Sequence, residues 1–232
     1  MKNKRFNNAD EVVAGMFDGA TVLIGGFGRG GLPSSLIDAV CDRGLRKLTI
    51  VNNNAGHGKA GIGRLIGEGC IAKVICSFPT GKEAYVFKEW HAAGKIAVEL
   101  VPQGTLAERI RCAGAGLGGF LTPTGVGTEI AEGKQVVTID GREYLLEGPL
   151  RGDFALIKAD CVDPRGNLTY RMAARNFNPL MAMAADQVLV AANREVGLGE
   201  IDPNVVITPG LYVDRYFVED RTAAMAKPPG RS

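Results

Sequence analysis

The sequence predicts an α/β fold: a mostly parallel sheet flanked by helices, followed by a more β-rich second half. Three observations carry this. Short, nearly all-apolar runs alternate with segments of helical spacing through the first half of the chain. Such runs lack polar alternation, as strands covered on both faces must. Polar or glycine-rich loops (Gly25–Gly31, Asn52–Asn54, Gln103–Gly104) follow three of those strands, at the ends where α/β sheets take ligands.

Taken in order, Asn8 with Glu11 three residues on reads as a helix N-cap with its capping-box partner. Val12, Val13, Met16 and Phe17 then share a face, and Asp18-Gly19 ends the segment. Ala20–Ile24 is the first strand. Leu36, Ile37, Val40 and Cys41 give a helix closed by Gly44, and Leu48–Val51 is the second strand. Ile62, Leu65 and Ile66 mark a short helix, and Val74–Phe78 is a strand closed by Pro79. Lys82–Ala93 is a helix stopped by Gly94, and Ile96–Val101 is the fourth strand. Thr105 caps the next helix, with Glu108 in the capping-box position.

Gly114–Gly127 is too long and irregular for an element and predicts a covering loop. Val136–Ile139, Asp140-Gly141 and Arg142–Leu146 form a hairpin with an Asp-Gly turn. Phe154–Ala159, Leu168–Tyr170, Val188–Ala192 and Val205–Thr208 predict further strands, with a short helix over Leu180–Ala185. No linker divides the chain. The reading is one domain over residues 1–220 and a flexible C-terminal tail over 221–232, which is rich in Ala, Pro and Gly.

Composition narrows the function. The chain has 232 residues, enough to bury a core without staples. Its 27 basic and 25 acidic residues leave a charge of +2, with no basic run interleaved with aromatics, so nucleic acid is not an expected partner. No apolar stretch approaches the ~20 residues of a membrane span. Five scattered cysteines and two histidines form no metal-ligand or disulfide pattern, so the expectation is free thiols in a cytoplasmic protein and no metal.

The densest motif is Gly25-Gly26-Phe27-Gly28-Arg29-Gly30-Gly31, between a strand and a helix. Glycines cluster where backbone approaches something closely or φ turns positive. Amides at such a loop suit an anion. The motif satisfies G-x-G-x-x-G, which leaves a dinucleotide-dependent oxidoreductase open. Against it, Asn52–Asn54 stand where the acid for a ribose is required, and Pro33 delays the helix. A ligand-free tight turn is the third reading. Elsewhere, His91 reads as packing or surface, His57 as a solvated loop residue and Glu200 as a turn residue. The chain is equipped to bind but poorly equipped to react.

Asp18-Gly19 through Gly25-Gly26-Phe27, Gly31 and Pro33 resembles the first signature of the 3-oxoacid coenzyme A-transferase family. The resemblance continues through Asn53-Asn54-Ala55-Gly56, Pro102–Arg111, Thr122-Pro123-Thr124-Gly125, Asp153–Ile157, Gly166–Tyr170 and Ala173–Phe177. It covers nearly the whole chain and is to the family's α subunit, closest to members that use 3-oxoadipate. It implies the family I-like fold. The family's nucleophile is a glutamate in a Ser-Glu-Asn-Gly motif that this sequence lacks, so no catalytic residue is expected here. The resemblance therefore implies a β-subunit partner carrying that glutamate, in an αβ or α2β2 assembly. The implied reaction is ping-pong transfer of CoA from succinyl-CoA to a 3-oxoacid through a glutamyl-CoA thioester. CoA thioesters and small acids are then substrates, and no cofactor is required.

By the same resemblance, Asn53, Asn54 and Gln103 bind substrate, and the loop residues Gly25, Gly26, Phe27, Gly28 and Gly31 shape a wall of the site. The Asn53–Gly56 loop favours 3-oxoadipate as acceptor. Arg111-Cys112 and residues 116–124 are equally similar to short-chain enzymes using acetate or acetoacetate. A second substrate carboxylate calls for a cation, for which Arg29, Lys82, Arg109 and Arg111 are the candidates.

Overall fold

The computed structural model describes residues 3–219. The expected C-terminal tail lies outside them. Along the chain run α1 (Ala9–Val12), β1 (Thr21–Ile24), α2 (Ser34–Asp42), β2 (Leu48–Val51), α3 (Ile62–Gly67), β3 (Ile71–Cys76), α4 (Tyr85–Ala92), β4 (Ala97–Leu100) and α5 (Gln103–Gly114). The second half contributes β5 (Phe120–Thr122), β6 (Val136–Ile139), β7 (Arg142–Glu147), β8 (Gly152–Val162), β9 (Leu168–Thr169), α6 (Asn178–Met183), β10 (Ala185–Glu195) and β11 (Arg215–Val218).

The central sheet has the order β11-β10-β8-β1-β2-β3-β4, with every pairing along that path parallel and β9 antiparallel to β8. Its strands alternate between two cores, as the twofold strand period dictates. Val22, Ile24, Ile50 and Val74 point to a core shared with α1–α4, through Val12, Leu36, Ile37, Leu65 and Phe87. Leu23, Val51, Ile75 and Ile157 point to the other, where Leu106, Ile110 and Met181 of α5 and α6 cover them. A mostly parallel sheet flanked by helices is therefore observed as expected. The β-rich second half does not stand apart: β8, β10 and β11 extend the same parallel sheet, and β5-β7-β6 make a small antiparallel one.

Several local expectations hold. Asn8 caps α1 by accepting from Glu11 N at 2.9 Å, and Glu11 reaches back to Asn7 N at 3.0 Å. The hairpin turns on Asp140 and Gly141, both at positive φ as a type I′ turn demands.

Others are corrected. Phe17 does not join the buried face of Val12, Val13 and Met16; it is 52% exposed. The helix expected from Thr105 starts two residues earlier. Pro102, at φ −53°, turns the chain directly into α5 without a side-chain cap, Thr105 is buried within the helix, and Glu108 pairs with Arg111. The loop over 114–127 contains β5, because Leu121 finds a partner in Leu146 of β7, a pairing no local pattern reveals. Val205–Thr208 is not a strand: Asp202 caps Asn204 N at 2.9 Å, a 3₁₀ turn covers Pro203–Val205, and Thr208 alone bridges to Leu168. β11 went unpredicted; its edge position leaves only Tyr216 and Phe217 buried.

Lys73, Glu99 and Arg109 brace β3, β4 and α5, with Glu99 accepting from Lys73 Nζ at 2.6 Å and Arg109 Nη1 at 2.8 Å. Burial pushes the Glu99 carboxyl up, but these two hydrogen bonds outweigh it and hold its pKa below the usual value. Among the described residues no helix is long and apolar enough to cross a membrane.

Candidate active site

The carboxyl ends of β1 to β4 carry the loops that build the site. After β1, Gly25 N donates to Leu156 O at 2.9 Å, and Phe27 and Gly30 exchange backbone hydrogen bonds at 3.0 and 3.1 Å. Gly28, at φ +60°, and Arg29 are the central pair of this tight turn, with positive φ at the first position only, as in a type II′ turn. A Cβ on Gly25 would lie 1.9 Å from Asn178 Oδ1, and one on Gly31 2.3 Å from Ala174 O, so both positions require glycine.

The remaining amides of the loop point inward. Gly26 N donates to Asn176 Oδ1 at 3.0 Å and Gly28 N to Asn54 Oδ1 at 2.9 Å. Amides engaged in this way do not cradle a phosphate, so the phosphate-loop and dinucleotide readings of the motif fall. The loop is a tight turn packed against asparagines.

Those bonds also orient the site's carboxamides. A backbone N–H can only donate, so the Asn54 atom facing Gly28 N is oxygen. Asn53 Nδ2 must then donate to it, at 3.1 Å, which leaves Asn53 Oδ1 to accept from Gln103 Nε2 at 2.7 Å. Asn53 is 1% exposed, and its backbone carbonyl accepts from Ser77 N and Phe78 N, pinning it to the end of β3. Asn52, equally buried, donates to Ile24 O at 2.7 Å and accepts from Asn54 N at 2.9 Å, tying β1 to β2. The line Gln103–Asn53–Asn54–Gly28 thus joins the loops after β4, β2 and β1. The three residues expected to bind substrate are brought together, and Gly25, Gly26, Phe27, Gly28 and Gly31 stand beside them.

Sequence reasoning missed Asn176 and Asn178 as part of this assembly. Asn178, fully buried, accepts from Lys158 N at 3.0 Å and donates to Gly31 O and Ala174 O at 3.0 and 2.9 Å. The only signal was the glycine at 25, which makes room for it.

On the α5 side, Phe27, Gln103, Ala107, Phe177 and Leu180 line a largely apolar groove. On the α2–α3 side, Arg29, Ser34, Asn54 and His57 line a cavity of about 340 Å³. No carboxylate lines either. Cys76, just before Ser77, is buried and its thiol is pushed up to about 12 by burial, so it is no nucleophile. His91 stacks on Phe87, with ring centroids 5.5 Å apart, and Glu200 accepts from Gly197 N at 2.7 Å, a turn contact. The site offers hydrogen-bond donors and acceptors without a reactive group.

Residues 6–218 match the coenzyme A transferase family. The chain is 52% identical, over 97% of both chains, to the α-type subunit of 3-oxoadipate CoA-transferase from Pseudomonas putida. It is 47% identical, over 96% of its own length and all of the relative, to the alpha subunit of acetate CoA-transferase from Escherichia coli K12. Among solved structures, an acyl-CoA transferase of Escherichia coli O157:H7, in a thioester complex with CoA, superposes with a TM-score of 0.81 at 23% identity. That match covers 94% of this chain and 47% of the longer one, and it shows the shared fold.

Proposed function

This chain belongs to the coenzyme A transferase family, and from that premise we propose that it is the α subunit of an enzyme moving CoA from succinyl-CoA to 3-oxoadipate. A β subunit completes the site, in an αβ or α2β2 assembly, and supplies the nucleophilic glutamate. The observation that carries this reading is the buried amide line Gln103–Asn53–Asn54, ordered for binding and without a nucleophile beside it.

The partner's carboxylate attacks the thioester carbon of succinyl-CoA and expels CoA thiolate, leaving an acyl-glutamyl anhydride. The thiolate then attacks the glutamyl carbonyl and releases succinate, and the acceptor acid reverses the two steps. Each addition develops negative charge on a carbonyl oxygen, where a positioned donor contributes roughly 3–4 kcal/mol. Amide groups suit this role because they donate without titrating or competing as nucleophiles. Asn54 Nδ2, which has only a long 3.5 Å contact to Phe78 O, and the second N–H of Gln103 are the donors the line leaves over. The CoA thioester is itself a substrate, and no further cofactor takes part.

Two further facts favour the reading: the relatives above are named as subunits, and no Ser-Glu-Asn-Gly tetrapeptide occurs in the sequence. A short-chain reading, with acetate or acetoacetate as acceptor, is supported by the 47% identity to the acetate enzyme. Co-expression with a β chain, followed by assay with succinyl-CoA and each acid, separates the two. We expect 3-oxoadipyl-CoA from the complex and none from this chain alone. Exclusive use of acetate or acetoacetate overturns the 3-oxoadipate assignment, and full turnover by this chain alone overturns the two-subunit site.

A further inference from the structure

The tight turn after β1 has a twin after β2. In Phe27-Gly28-Arg29-Gly30 and in His57-Gly58-Lys59-Ala60, the outer residues form an antiparallel bridge. In each, the second residue is a glycine at positive φ, +60° and +61° respectively, and the third is a cation. The two turns flank the 340 Å³ cavity, to which one gives Gly28 and Arg29 and the other His57 and Ala60. Its polar side chains (Arg29, Ser34, Asn52, Asn54, His57) include no carboxylate. Lys59 stands exposed at the tip of the second turn, without an ion pair among the described residues. Asn54 places this cavity directly beside the amide line.

Arg29 is already a carboxylate binder. Its Nη2 meets Glu83 Oε2 at 2.9 Å, with the two side chains 78% and 57% exposed. Glu83 also bridges the twins, since its backbone oxygen accepts from Gly58 N at 2.7 Å. An ion pair this exposed is weak, so exchanging Glu83 for another carboxylate costs little. The other cations considered are committed or elsewhere. Arg109 is held by Glu99 and Gly148 O, Arg111 by Glu108, and Lys82 lines neither the cavity nor the groove.

We infer that this cavity takes the substrate carboxylate remote from the thioester, and that Arg29 selects dicarboxylic over monocarboxylic acids. The inference rests on the transferase reading above. A carboxylate and a CoA phosphate share the chemistry that Arg29 recognises, and the test separates them.

The complex with the β chain, as wild type, Arg29→Gln and Glu83→Gln, is assayed with 3-oxoadipate and with acetoacetate as acceptors. For Arg29→Gln we expect the kcat/KM ratio of dicarboxylic to monocarboxylic acceptor to fall at least tenfold. Glu83→Gln, which releases Arg29, raises it. An unchanged ratio overturns the inference, as does a rise in KM for the CoA donor with the ratio unchanged, which would place a CoA phosphate on Arg29. Calorimetry with the unreactive acids adipate and hexanoate needs no turnover, so it decides the matter even if 3-oxoadipate proves not to be the acceptor. Adipate should bind the wild-type complex more tightly than hexanoate and lose that advantage in Arg29→Gln. Equal affinity of the wild type for both acids contradicts the assignment.

Discussion

Asn53→Ala and Gln103→Ala are each expected to lower kcat/KM of the assembled enzyme by roughly 10–100-fold, and the double variant no further than the more damaging single change. Asn53 is the middle of the amide line: it accepts from Gln103 at 2.7 Å and donates to Asn54 at 3.1 Å. Removing it leaves Gln103 without the acceptor that orients it. A hydrogen-bonding group left unpaired in a buried site costs about 1–3 kcal/mol, and about 1.4 kcal/mol is tenfold in rate. Residues that act as one unit are strongly non-additive. Steady-state kinetics on the four complexes, with size-exclusion chromatography to establish assembly, checks this. Effects that multiply would show that the two amides act separately. Unchanged kinetics in Gln103→Ala would remove it from the site.

Asn178→Ala is expected to be the most damaging substitution for stability, lowering it by about 3 kcal/mol. The side chain is fully buried and holds three pieces of backbone at once: Lys158 N on β8, Gly31 O at the end of the glycine loop, and Ala174 O before α6. Alanine leaves one donor and two acceptors facing a small void, and each unpaired buried group carries a penalty of ~1–3 kcal/mol, relieved in part by relaxation. For a chain of this size, ~3 kcal/mol corresponds to a Tm lower by roughly 6–12 °C. Asn178→Asp keeps the acceptor for Lys158 N but turns oxygen toward Gly31 O and Ala174 O, so it is not a rescue. Gly25→Ala attacks the same contact from the other side, since its Cβ would stand 1.9 Å from Asn178 Oδ1. Denaturant melts of the three variants check this, and a wild-type midpoint for Asn178→Ala contradicts it.

The fold was legible in the sequence where burial and local pattern agree. Leu23, Ile50 and Val74 lie in doubly covered strands, and such strands are written as apolar runs. The Asp140-Gly141 turn was legible because positive φ restricts residue choice. What escaped is non-local. β5 exists because β7 lies beside it, and β11 because β10 offers an edge. The start of α5 was misplaced because Thr105 and Glu108 imitate a capping box, while Pro102 sets the actual boundary.

For the site, the glycines and the Asn52–Asn54 run marked the right edge of the sheet, and family resemblance selected Asn53, Asn54 and Gln103. The sense of the amide chain was not legible, because a carboxamide's orientation is set by the fixed donors around it, here Gly28 N. Nor were Asn176 and Asn178, which come from far along the chain to line the glycine loop. Arg29 and Lys59 gained meaning only once the two turns stood on either side of one cavity.

The central claim is that this chain binds while its partner reacts. The most direct test is to incubate the complex with succinyl-CoA in the absence of an acceptor, digest it, and locate the covalently attached CoA by mass spectrometry. The expected result is a CoA thioester on a glutamate of the β chain, with this chain unmodified. A thioester on any residue of this chain would contradict the account.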